Sequence, residues 1–271
     1  MNEPRNPYAP PTTHVADQEA APAQTDSGLF IPDGRSRPAS RGAAWIGDAW
    51  RMLRARPGRW VVSLLILFVG YIAVSVIPFM NVFVQLLVPF GYAGVALAAD
   101  QQRRTGSFEV STIFAGFSKQ PASLLAVGGT VILAYIVVVL VMLLLVGMQL
   151  FGAIARGARA ADPSIFHTEG FVVAIVISLA LLIPVGLATY LAPQIIVLHD
   201  QPALAAMKMS FSGCVRNILP GIVFSLCLLA LLVVAMIPLF LGLPVFLPVL
   251  AITSYTVYRD IFIEENSQGK P

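Results

Sequence analysis

Six long apolar segments constrain this chain more than any other feature of its sequence. They cover, approximately, residues 60–79, 82–99, 123–150, 171–198, 219–240 and 243–257. The longest of them exceed the roughly 18 apolar residues that mark a helix able to cross a bilayer. Only 11% of the 271 residues are charged, against about a quarter in a typical water-soluble protein. We therefore predict an all-α fold, a polytopic transmembrane helical bundle of about six spans.

The polar ends divide the chain into three parts. Residues 1–40 are rich in Pro, Ala, Ser, Thr and Gln, and such a segment buries too little apolar area to offset its ordering entropy. We predict a disordered cytoplasmic tail over 1–40, a membrane domain over 41–263 and a short cytoplasmic tail over 264–271.

In the last apolar segment Pro244 and Pro248 lie near the start, so a re-entrant or tilted segment is an alternative to a full crossing.

Basic residues are distributed unevenly between the two sides of the predicted bundle. With the amino terminus in the cytoplasm, 15 of the 17 Lys and Arg residues lie on the cytoplasmic side, and only Arg156 and Arg159 lie outside. Cytoplasmic loops of membrane proteins carry such an excess. We predict a multi-pass protein of the bacterial inner membrane with both termini in the cytoplasm. The small net charge of +3, with its cations beside apolar segments, argues against nucleic-acid binding.

A weak threefold repeat precedes the outgoing spans. Each span that leaves the cytoplasm follows an amphipathic stretch with a bulky aromatic residue and then a polar or basic turn, which is typical of helices lying in the bilayer interface. The aligned aromatic residues are Trp50, Phe114 and Phe211, and the aligned turn residues are Arg56, Gln120 and Asn217. We predict amphipathic interfacial helices on the cytoplasmic side, and a true repeat and a coincidence both remain open.

Nine basic residues at the cytoplasmic ends of the spans form a predicted collar. They are Arg51, Arg54, Arg56, Arg59, Arg103, Arg104, Lys119, Lys208 and Arg216. A basic residue close to an anionic leaflet contributes about 1 kcal/mol of attraction. The collar is therefore a candidate site for anionic lipids, and the alternative is that these charges only set the topology during insertion.

The predicted spans contain no Asp, Glu, Lys, Arg or His, which argues against a proton relay or an intramembrane enzyme. Four positions remain as candidates for a polar or kinked site within the membrane: Gln85, Pro184, Pro193 and Gln194. A cavity at the kinks and ordinary helix packing are both open there. The two cysteines are too few for a metal site. No catalytic residue, cofactor or metal is predicted, and the chain is not expected to be an enzyme.

Three runs of residues carry a resemblance to a known family. They are AWRMLRARPGRW at 49–60, APQIIVLHD at 192–200 and SYTVYRDIF at 254–262. Together they resemble a proteobacterial family of uncharacterised six-span inner-membrane proteins, which is distantly similar to the YciC-like proteins. The resemblance implies membrane residence and brings no activity, substrate or catalytic residue with it.

These observations leave three readings of the function. The first is an integral inner-membrane protein without catalytic activity, which organises a partner or lipids. The alternative is a transporter or channel subunit for an uncharged or amphiphilic solute, and an intramembrane enzyme comes third. The predicted partners are membrane lipids, anionic ones among them, and proteins that the sequence does not identify.

Overall fold

The computed structural model describes residues 24–25, 28–77, 80–155, 169–237, 239 and 242–265. In chain order the helices are α1 (Arg41–Ala55), α2 (Pro57–Ser75), α3 (Met80–Thr105), the 3-10 helix η1 (Val110–Phe117), α4 (Pro121–Ala155), α5 (Glu169–Tyr190), α6 (Ala192–His199), α7 (Ala203–Arg216), α8 (Ile218–Met236) and α9 (Leu243–Phe262). Three short strands, β1 (Gln24–Thr25), β2 (Gly28–Phe30) and β3 (Ile263–Glu264), form one antiparallel sheet in that order.

Six helices of the described chain are long and apolar enough to cross a membrane. They are Pro57–Ser75, Phe83–Thr105, Pro121–Met148, Val172–His199, Ile218–Met236 and Leu243–Phe262. The predicted all-α bundle of about six spans is therefore confirmed. The last segment is one helix of 20 residues, because Pro244 occupies its first turn, where the missing N–H costs no hydrogen bond.

Three short helices precede α2, α4 and α8, as the aligned stretches predicted. The chain breaks between α1 and α2 at Arg56, between η1 and α4 at Gln120 with a φ of 54°, and between α7 and α8 at Asn217. The aligned aromatic side chains are exposed to similar degrees, at 42% for Trp50, 44% for Phe114 and 41% for Phe211. The second copy differs from the other two, since η1 is a short 3-10 helix. The three units therefore share a helix, a break and a hairpin of spans.

Buried residues concentrate at the end of the bundle that carries α1, η1 and α7. We call this end the hub; it is built from Phe90–Ala99 of α3, Leu191–Val197 at α6 and Val249–Phe262 of α9. Within their membrane-length windows, 50% of α3 and 61% of α9 are buried, against 0% of α4. Helices α3 and α9 thus form the centre, and the apolar remainder of α2, α4, α5 and α8 faces outward, as expected for surface in contact with lipid.

The segment before α1 does not follow the prediction of a tail over residues 1–40. Residues 28–40 lie against the end of α9, where Ile31 N–H donates to Phe262 O at 2.8 Å and Arg35 N–H donates to Ile261 O at 2.8 Å. Backbone pairing and arginine contacts hold this segment, and a composition argument detects neither. Residues 1–23 and 266–271 of the two predicted tails lie outside the described residues.

Candidate functional site

A polar cluster at the hub is centred on Asp260 in the last turn of α9. Its Oδ2 accepts hydrogen bonds from Arg41 Nε at 2.9 Å and Trp45 Nε1 at 2.8 Å, and its Oδ1 pairs with Arg37 Nη2 at 2.8 Å. The Asp260 side chain is only 10% exposed. The hydrogen bond to Asp260 raises the pKa of the Arg41 guanidinium. The cluster ties the segment before α1, α1 itself and α9 together.

A cavity of about 900 Å³ opens beside this cluster. Within the described residues its arginine side chains are Arg35, Arg37, Arg41, Arg51, Arg103 and Arg259, and its carboxylates are Asp48, Asp260, Glu264 and Glu265. We call this space the arginine cavity. Its walls come from the segment before α1, from α1, from the end of α3 and from α9 with the strand that follows it.

The sequence predicted only two of these arginines, Arg51 and Arg103, as members of a site. Arg35 and Arg37 fell within the predicted tail, and Arg259 lay beyond the predicted end of the last span. The available signal was the close spacing of Arg35, Arg37 and Arg41 in a segment otherwise poor in cations, together with an Arg-Asp pair at 259–260 next to an apolar helix. Their meeting depends on a contact between the two ends of the chain, which local patterns do not encode.

A second polar cluster joins α3 to α9. Asp100 accepts hydrogen bonds from Tyr255 Oη at 3.0 Å and from Arg104 Nε at 2.6 Å. Arg103 donates hydrogen bonds to both Asp100 and Tyr255. The neighbouring pocket has a volume of only about 10 Å³, too small for a ligand larger than water. These groups therefore cross-link helices, and they explain why α3 and α9 extend beyond the predicted spans.

His199 at the end of α6 lies beside this cluster. Its Nε2 is hydrogen-bonded to the Tyr258 hydroxyl, and the Phe30 ring stacks on the imidazole with ring centroids 3.7 Å apart. Among the described residues no group of His, Cys, Asp and Glu side chains is arranged to hold a metal ion. The histidine thus links β2, α6 and α9.

The predicted collar separates into two kinds of residue. Arg54 on α1 and Lys208 on α7 are exposed and have no polar partner within the described part of the chain. Arg51, which is 79% exposed, pairs with Asp48 at 2.6 Å, and Lys119 lies 3.9 Å from Asp200. These four side chains are placed to reach lipid headgroups or water.

The remaining collar residues contact the protein itself. Arg56 donates to Gly106 O at 3.1 Å, Arg59 donates to Phe108 O at 2.6 Å, and Arg216 donates to Gly34 O at 3.1 Å. Arg103 and Arg104 bind Asp100, as described above. These guanidinium groups satisfy backbone carbonyls or a carboxylate at the hub, so a count of basic residues overstates the number of free cations.

The predicted intramembrane positions come together only in part. Gln85 and Pro193 line a pocket of about 180 Å³ with Tyr92, Thr189 and Tyr190. Gln194 is fully buried, and neither atom of its carboxamide has a hydrogen-bond partner among the described residues. Pro184 is exposed and does not line this pocket.

A comparison with curated proteins gives one relative that bears on the membrane assignment. A probable inner membrane protein of Burkholderia thailandensis is 27% identical over 185 residues, which cover 66% of this chain and 68% of the relative. This similarity and the six apolar helices of the fold support the same conclusion. The chain is a membrane protein. No family model matches the sequence, and no solved structure matches it.

Proposed function

We propose that this protein is a non-catalytic component of the bacterial inner membrane that organises anionic phospholipids at the cytoplasmic leaflet. The observation that carries the proposal is the exposed aromatic side chain on each of α1, η1 and α7, with the free cations Arg54 and Lys208 on two of these helices. Aromatic rings favour the membrane interface, and each cation near anionic headgroups adds about 1 kcal/mol of attraction. The relative from Burkholderia supports the choice of membrane.

The proposed orientation places both termini, η1 and α7 in the cytoplasm and residues 156–169 in the periplasm, following the excess of 15 basic residues over 2. In a background with Cys214 and Cys227 replaced by Ser, we expect Asp162→Cys to react with an impermeant maleimide in intact cells. A Cys at Gly106, in the loop before η1, should react only after the membrane is permeabilised. The reverse pattern would overturn the orientation.

The lipid proposal predicts a change in co-purified lipid. Replacing both Arg54 and Lys208 by Gln removes two free cations and disturbs no hydrogen bond of the described chain. We expect the ratio of phosphatidylglycerol and cardiolipin to phosphatidylethanolamine to fall by up to about fivefold per cation. The measurement is mass spectrometry of lipids from gently extracted protein.

A matched control removes the same charge from the other side. Arg156→Gln with Arg159→Gln also deletes two cations, and the proposal places them in the periplasm. The lipid ratio of this control should equal that of the wild type. An unchanged ratio in a correctly inserted Arg54 and Lys208 double variant would show that the collar acts in topology alone.

Passage of a small neutral solute is the second candidate function. It is favoured by the pocket of about 180 Å³ beside Gln85 and Tyr190, whose hydroxyl is buried without a partner in the described chain. On this reading water also reaches the buried carboxamide of Gln194, which lies four residues after Tyr190 and next to Pro193 of the pocket lining. Gln194→Met should then lower the melting temperature. A rise would mean that the carboxamide is dry, because an unpaired buried amide destabilises the fold.

A further inference from the structure

We propose that the arginine cavity is a specific binding site for a phosphate-bearing anion. The ligand chemistry is a phosphate monoester or diester, which two sources supply: the headgroup of an anionic phospholipid and a soluble phosphorylated molecule. This site shares Arg51 and Arg103 with the collar but does not include the free cations Arg54 and Lys208, and its occupancy does not depend on the lipid-organising role proposed above.

The charge of the lining favours an anion. Six guanidinium groups line the cavity in the described chain, against four carboxylates, giving a difference of two positive charges. Asp100, which binds Arg103 from outside the lining, reduces this excess to one. Arginine presents several N–H donors in a planar fork that matches phosphate oxygens, so clustered arginines suit this ligand better than a single-point anion.

Two donors in the lining also lack an acceptor. Arg35 Nε and Arg259 Nε are both buried and have no hydrogen-bond partner among the described residues. A buried unpaired donor destabilises a fold, and the effect is larger for a charged group. Burial, and to a lesser extent the neighbouring Arg37, lowers the pKa of Arg35. An anion in the cavity would offset the excess positive charge of these guanidinium groups without a direct hydrogen bond to either buried Nε.

The volume of the cavity is large enough for a ligand that carries such a group. Its volume of about 900 Å³ lies within the range of roughly 300–1,000 Å³ that is usual for small-molecule sites. On the membrane side, Gln102 donates to Met52 O at 2.9 Å and accepts from Trp60 Nε1 at 2.6 Å. Trp60 is fully buried. These contacts fix the boundary between the polar cavity and the apolar spans, so the walls are preformed.

The test uses the full-length protein in nanodiscs of neutral phosphatidylcholine. Inorganic phosphate and glycerol 1-phosphate are titrated against chloride at matched ionic strength, and the melting temperature is recorded. Phosphatidylglycerol doped into the discs forms the second arm. We expect a saturable rise in melting temperature in at least one arm, and about tenfold weaker binding for Arg259→Gln. A response to the soluble ligands identifies a soluble source, and a response to phosphatidylglycerol alone identifies a lipid.

Two further variants keep the test decisive if Arg259→Gln folds poorly. Glu265 is 74% exposed and pairs with Arg259 at 2.7 Å, so Glu265→Gln should leave the fold intact and strengthen binding several-fold. Arg54→Gln removes an arginine from α1 that does not line the cavity, so its response to the soluble phosphates should match the wild type, and its response to phosphatidylglycerol should fall less than that of Arg259→Gln. The proposal is overturned if no arm shows saturable binding, or if Arg54→Gln weakens binding as much as Arg259→Gln does.

Discussion

Replacing Asp260 by Ala is expected to lower the stability of the protein by about 3 kcal/mol. Asp260 accepts hydrogen bonds from Arg41 and Trp45 and forms an ion pair with Arg37. Its own side chain is only 10% exposed. Removing one member of a buried ion pair typically costs roughly 3–5 kcal/mol, because the partner charge is left uncompensated. We place the effect at about the lower end, since Arg37 and Arg41 are 27% and 35% exposed and water can partly hydrate them.

The measurement is thermal unfolding in mild detergent, followed by tryptophan fluorescence, with an expected fall on the order of 10 °C. Asp48→Asn is the matched control, because it also removes a carboxylate that pairs with Arg41, at 3.5 Å, and with the exposed Arg51. That change should cost less than about 1 kcal/mol, as surface ion pairs do. Equal effects of the two variants would show that Asp260 does not anchor the segment before α1.

The spans were predictable from sequence because the bilayer imposes a length and a polarity on each of them. The fourth span illustrates this: the prediction of 171–198 and the helical span Val172–His199 differ by one residue at each end. A hydropathy argument works here since the segment is almost entirely apolar and long enough to cross a bilayer. The turn residues Arg56, Gln120 and Asn217 were likewise found, because a helix break leaves a local trace in the sequence.

The ends of α3 and α9 were not predictable by the same argument. The prediction ended the second span at residue 99 and the sixth at 257, whereas the helices continue to Thr105 and Phe262. The added turns carry charged residues, Asp100 and Asp260 among them, which a hydropathy criterion reads as the end of a span. In the fold Asp260 is paired with Arg37 and Arg41 from a distant part of the chain, and Asp100 is paired with Arg103 and Arg104 of its own helix. The helices therefore extend as polar, partly buried structure.

The candidate sites show the same limit. The sequence identifies which residues are basic. It does not show that Arg216 donates a hydrogen bond to the carbonyl oxygen of Gly34, whereas Lys208 has no polar partner among the described residues. Such a distinction depends on tertiary contacts between segments more than 100 residues apart, as for the pair Arg216 and Gly34 with a separation of 182. The arginine cavity was missed for this reason.

Gly94→Ala is expected to have the second large effect, a loss of about 3 kcal/mol. The returning helix α3 and the 3-10 helix η1 approach so closely at Gly94 that an added Cβ would overlap the carbonyl oxygen of Ile113 and lie 2.7 Å from its carbonyl carbon. Ile113 is fully buried. Overpacking typically costs roughly 1–3 kcal/mol, and the upper value applies because the obstacle is backbone, which no change of rotamer relieves.

Gly91 on the same helix provides the matched control, because a Cβ there would meet only Leu67 Cδ1, at 3.9 Å. Alanine is about 0.5–1 kcal/mol better than glycine inside a helix, so Gly91→Ala should raise the melting temperature slightly while Gly94→Ala lowers it by several degrees. Opposite signs at two glycines one turn apart cannot arise from helix propensity alone. If both variants gained stability, η1 would not pack against α3 at Gly94, and the central position of α3 in the hub would be wrong.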